Sequence, residues 1–92
     1  MLFKVQISEE AENQIFEAKF YYAEISEELA EHFNKELIKT IDYLKENPAY
    51  FQNKYRGIRI VLTKNFPYSV HYIIKNKTVF VLKIIHQKQF HK

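Results

Sequence analysis

The sequence predicts an α+β fold of order β-α-α-β-β-β, in which an N-terminal strand and an antiparallel α-helical hairpin precede a three-stranded antiparallel sheet. Three observations predict it. Apolar residues recur at helical spacing from Ala11 to Leu44, β-branched and aromatic runs dominate after Pro48, and the charge changes sign between the two stretches. Residues 1–47 carry five lysines against all eleven acids, a balance of −6, whereas residues 48–92 carry nine cations and no acid, +9, which together give the net +3.

Each element has its own signal. Phe3-Lys4-Val5-Gln6-Ile7 alternates apolar and polar, the pattern of a half-buried strand. Ser8 reads as an N-cap, with Glu9 and Glu10 at the positive end of the helix dipole. Ala11, Ile15, Ala18, Tyr22 and Ile25 then form the apolar stripe of a first helix. Ser26, Glu27 and Glu28 repeat the start signal, and Leu29, Phe33, Leu37, Ile41 and Leu44 continue into a second helix that Asn47-Pro48 ends. The link at Ser26 is too short for anything but neighbouring antiparallel helices. Residues 50–57 read as a loop with aromatic anchors and the only glycine, Gly57. Ile58–Leu62, Tyr68–Lys75 and Thr78–His86 read as strands, with Asn76-Lys77 as a two-residue hairpin turn because Asn tolerates positive φ.

Composition bounds the class. At 11.2 kDa the chain reads as one domain over residues 1–92, and 47% hydrophobic residues give it enough material for a core. Without cysteine, disulfides and zinc-thiolate sites are excluded. The N-terminus lacks a signal-peptide apolar stretch and no apolar run reaches membrane-spanning length, so a cytoplasmic protein without membrane contact is expected. The acid-free second half excludes carboxylate-pair catalysis and oxygen-rich metal sites there, and its histidines lack the pair spacing of a metal site. No metal or cofactor is expected. What the basic half suits is an anionic partner, nucleic acid or an acidic protein segment.

In the last strand, strict alternation puts Phe80, Leu82 and Ile84 on one face and Val79, Val81, Lys83 and Ile85 on the other. Both faces are then largely apolar, and two helices cover only one, so a docked partner is expected on the open face.

The helical hairpin with Tyr21-Tyr22, the helix-ending Asn47-Pro48, and the words Tyr55-Arg56-Gly57-Ile58-Arg59, Phe66-Pro67-Tyr68-Ser69-Val70-His71-Tyr72 and Val79 to His86 carry a resemblance. In order and spacing, over nearly the whole chain, they resemble the RelE/ParE superfamily of type II toxin–antitoxin toxins. The resemblance implies a growth-inhibiting toxin, encoded beside an antitoxin whose extended segment wraps it. One branch of that superfamily, typified by RelE, cleaves mRNA on the ribosome; the other, typified by ParE, inhibits DNA gyrase by binding. Metal-free RNA cleavage needs an activating base, a proton donor and cations for the phosphorane. Here Arg59 falls at the first basic position of the nuclease branch, but Val61 occupies the second and Ser69 stands near its strand arginine. Lys88 is not followed by the expected tyrosine, and the loop before the sheet lacks the Glu of a related subgroup. The ParE-like branch is therefore favoured. A ribosome-dependent nuclease using Arg59, His86 and Lys88 is the alternative, and an inactive homologue kept as an antitoxin-binding regulator is a second.

For antitoxin or target binding the candidates are Lys54, Arg56, Arg59, Lys64, His71, Lys83 and His86. Arg59, expected on the face opposite the helices, would hold a phosphate or carboxylate bidentately; its bland alternative is an ion pair to a helix glutamate. His71 is expected to share that face or to be an ordinary surface histidine. His86 has a suitable pKa for acid–base work, against a strand-end histidine bonded to backbone. The lysines taken singly are solvated charges.

Overall fold

The computed structural model describes residues 2–87 and follows the expected element order with an added 3₁₀ turn and one added strand. Strand β1 (Lys4–Ile7) leads into helices α1 (Glu9–Ile25) and α2 (Glu27–Glu46). A 3₁₀ turn over Pro48–Tyr50 and a short strand β2 (Asn53–Tyr55) follow, then β3 (Ile58–Leu62), β4 (Tyr68–Lys75) and β5 (Thr78–His86). The five strands form one mixed sheet in the order β1-β5-β4-β3-β2, with β1 parallel to β5 and the rest antiparallel. The expected three-stranded meander is thus its centre, extended by a strand at each edge.

Two serines organise the hairpin. Ser8 Oγ accepts from the Ala11 amide (3.0 Å) and donates to the Leu82 carbonyl (2.9 Å), so the cap of α1 is also a tie to the sheet. Ser26 ends α1 through its N–H to Tyr22 and starts α2 by accepting from the Leu29 amide at 2.9 Å. Where β1 stops opposite Val81, α1 takes over the edge of β5: the Ile84 N–H donates to Gln14 Oε1 at 2.6 Å.

The core lies between the hairpin and one face of the sheet. Phe33, Leu44, Val70, Tyr72, Val79 and Val81 have no exposure there. Tyr22, Phe33, Phe66 and Tyr68 form an aromatic knot with centroid separations of 5.1 to 6.3 Å, in tilted and edge-on geometries that favour such pairs. Burial raises the phenol pKa of Tyr22 and, more strongly, of Tyr68.

The faces of β5 differ from simple alternation. The β4–β5 register runs from Tyr72↔Val81 to His71↔Lys83, so Leu82 is the extra residue of a bulge. Beyond it the parity flips. Val79, Val81 and Ile84 share the helix-packed face, while Phe80, Lys83 and Ile85 share the open one.

Candidate functional site

All eleven carboxylates lie in α1 and α2, and the strands contain none. The molecule therefore has an acidic helical layer backing a sheet whose charges are all cationic. Among the described residues the sole salt bridge is Lys45–Asp42, within α2, at 3.5 Å.

The open face of the sheet combines apolar side chains with a small polar centre. Ile60 and Leu62 of β3 pair with His71 and Ser69 of β4, which pair in turn with Lys83 and Ile85 of β5. Leu62 is 58% exposed. At the centre, Ser69 Oγ donates to the Ile85 carbonyl (3.2 Å), which leaves its lone pairs to face His71 Nε2 at 3.0 Å. Nδ1 lies 3.2 Å from the Tyr55 hydroxyl, so both ring nitrogens of the imidazole are within hydrogen-bonding distance of a hydroxyl. His71 is 1% exposed despite lying on this face. Burial, and secondarily the charge of Lys83, push its pKa below the ordinary imidazole value. The neutral ring is thus a structural link between β2, β4 and β5. Beside it, Tyr50, Phe51, Gln52, Lys54, Ile60, Leu62 and Gln87 line a groove of about 650 Å³.

Arg59 is not on this face, contrary to expectation. It pairs with Tyr72 and shares the helix side with Val61, so it does not share a face with His71 either. Its guanidinium donates through Nη1 to the carbonyls of Ala49 (3.3 Å) and Phe51. The Tyr72 hydroxyl donates to the Pro48 carbonyl at 2.6 Å. Together they pin the turn after α2, whose carbonyls a 3₁₀ turn leaves unpaired. Burial raises the Tyr72 phenol to about 12, against the opposing charge of Arg59. Among the described residues Arg59 forms no ion pair to a helix glutamate; the acceptors of Nη1 are backbone oxygens.

The other candidates scatter. Lys54 lines the open-face groove and Lys83 lies across β5, exposed. Arg56 occupies the tight β2–β3 turn with φ of 50°, next to Gly57 at 77°. Lys64 sits in the β3–β4 turn, whose Asn65 donates through its amide and side chain to Glu36 of α2. His86 pairs with Tyr68 on the helix side, its ring 5.2 Å from that phenol, and lines a second groove of about 470 Å³ with Gln14, Glu17 and Tyr21. Lys88 lies outside the described residues. Arg59 and His86 are cross-strand partners of Tyr72 and Tyr68, which puts them roughly 16 Å apart by strand geometry. What joins on one face is Lys54, His71 and Lys83. The residues that sequence reasoning missed are Tyr55, whose hydroxyl meets His71, and Ser69, considered only as an absent arginine. Among the described residues no cluster of three His, Asp or Glu could hold a metal ion, and no helix is long and apolar enough to cross a membrane.

Comparison with known proteins fits this geometry. The family model described as ParE toxin of type II toxin-antitoxin system, parDE, matches residues 5–90. Among solved structures, one described as a chromosomal ParDE TA system from P. aeruginosa is similar in fold, with a TM-score of 0.81 at 17% identity over 92% of this chain and 96% of the other. No curated protein matches the sequence.

Proposed function

Because the chain belongs to the ParE toxin family of type II toxin–antitoxin systems, we propose that it is a growth-inhibiting cytoplasmic toxin that acts by binding, with a DNA gyrase-type target. A cognate antitoxin neutralises it by laying an acidic, partly apolar segment over the open sheet face. Lys54 and Lys83 there supply cations that no carboxylate of the sheet competes for, and Ile60, Leu62 and Ile85 supply apolar contact. His71 and Tyr55 keep β2 fixed to the sheet so that this surface is preformed.

The observation that carries the choice of binding over RNA cleavage is the placement of Arg59. Its Nη1 donates to two backbone carbonyls on the helix side, distant from His86, which argues against the cation and the acid–base group of the nuclease alternative meeting at one phosphate. Induced expression tests the reading directly. Growth arrest with intact translated transcripts, together with loss of supercoiling activity when purified toxin is added to gyrase, is the expected result. Codon-positioned transcript cleavage overturns it in favour of a ribosome-dependent nuclease. Antitoxin binding without growth arrest marks an inactive homologue retained as a regulator.

A further inference from the structure

The outward side of α1 carries a surface that the fold does not use. Phe16 and Phe20 are 71% and 59% exposed, one helical turn apart, on the side away from the buried Ala11, Ala18 and Tyr22. Helix α1 surrounds them with five glutamates against Lys19 alone. Two phenylalanines at such exposure form an apolar patch with an acidic rim. The open sheet face is its counterpart: Ile60, Leu62 and Ile85 make an apolar floor, and Lys54 and Lys83 a cationic rim. The two surfaces belong to opposite layers of one molecule, so they cannot meet within it. A helix about 10–12 Å across matches the span of three strands spaced about 4.8 Å apart.

We propose that the chain self-associates head to tail, the Phe16–Phe20 face of α1 in one copy docking on the open sheet face of a second copy. The occupant follows from charge complementarity: the helix face is rimmed mainly by glutamates and the sheet face by Lys54 and Lys83, and among the described residues no salt bridge ties those two lysines to the helices. Such contact is heterologous. Every assembly still presents one free helix face at one end and one free sheet face at the other, so it grows with concentration and does not stop at a dimer. The footprint is small, which makes the association weak and reversible. It does not depend on which partner or target the sheet face otherwise receives.

Sedimentation equilibrium of the purified full chain tests this with two complementary variants. Phe16→Ser with Phe20→Ser removes the helix face and keeps the sheet face. Leu62→Asp with Lys83→Glu removes the sheet face and keeps the helix face. The weight-average mass of the unmodified chain should climb above 11.2 kDa with concentration. It should fall back in about 1 M salt, where screening acts over about 3 Å. Each variant alone should remain monomeric, and mixing the two should restore a one-to-one pair that grows no further. A monomeric unmodified chain at every concentration overturns the proposal. So does self-association of the sheet-face variant, which means helix against helix, or of the helix-face variant, which means sheet against sheet. If Leu62→Asp prevents folding by circular dichroism, Lys54→Glu with Lys83→Glu replaces it, and the same outcomes decide.

Discussion

The two faces of the sheet are made by the same strands but dispose of their polar groups in opposite ways. On the helix side, Arg59, Tyr72 and Thr63 each donate to backbone carbonyls of adjoining loops, and the apolar residues between them are sealed. On the open side, His71, Ser69 and Tyr55 bond to one another and to β5, while the lysines point outward with no carboxylate on any strand. The difference separates residues that hold the fold from residues left available to a partner, and it runs against residue type. The arginine is structural and the lysines are available.

That division can be broken in order of expected effect. Phe33→Ala, in the aromatic knot, should cost about 3–5 kcal/mol in urea unfolding, since a buried ring leaves a cavity that the surrounding rings fill only in part. Lys54→Glu with Lys83→Glu should weaken antitoxin binding by about tenfold or more through like-charge contact, yet leave stability within about 0.5 kcal/mol, as surface substitutions usually do. Calorimetric titration beside thermal unfolding reads both. Arg59→Met should show the reverse: a stability loss of about 1–3 kcal/mol from the unpaired carbonyls, with antitoxin affinity of the folded fraction unchanged. An affinity loss for Arg59→Met as large as that for the lysines would erase the division.

Two smaller effects sharpen it. Gly57 has a φ of 77° and open space around its missing Cβ, so Gly57→Ala should cost about 1–2 kcal/mol from backbone strain alone. The other concerns pH. Burial and Lys83 depress the folded pKa of His71, so the unfolded chain takes up that proton more readily. The stabilisation by neutral His71 is therefore complete above about pH 6.5, the unfolded imidazole value, and is lost as pH falls toward the depressed folded pKa. Measured against a His71→Gln variant, in which the other titrations cancel, the unmodified chain should lose more stability between pH 7.5 and pH 5. Parallel pH profiles would show that His71 is not held in its neutral form.

Much of the fold was legible. The three central strands begin and end where the β-branched runs do, both serine caps form, and Asn76 adopts the positive φ expected of the hairpin turn. Strand β2 was missed because Asn53, Lys54 and Tyr55 are all exposed, and an edge strand without a buried side has no alternation to read. Which way Arg59 points was equally hidden. Ile58, Ile60, Val61 and Leu62 surround it, so β3 has no polar parity, and only the pairing with Tyr72 decides. In β5 the bulge at Leu82 reversed the parity of everything after it, and nothing apolar or polar in that run marks the extra residue. Long-range pairing settled these points, and pairing is what a local pattern cannot carry.

The parallel ladder between β1 and β5 joins the first strand of the described chain to the last, Lys4 opposite Thr78 and Ile7 opposite Val81. During synthesis the helical hairpin leaves the ribosome before the strand that β1 needs, so the sheet closes only after β5 has emerged. The newborn chain first shows solvent an acidic hairpin with its apolar underside bare. Its basic face is complete only once β5 has followed, and only from then can the sheet engage, or be silenced by, anything anionic.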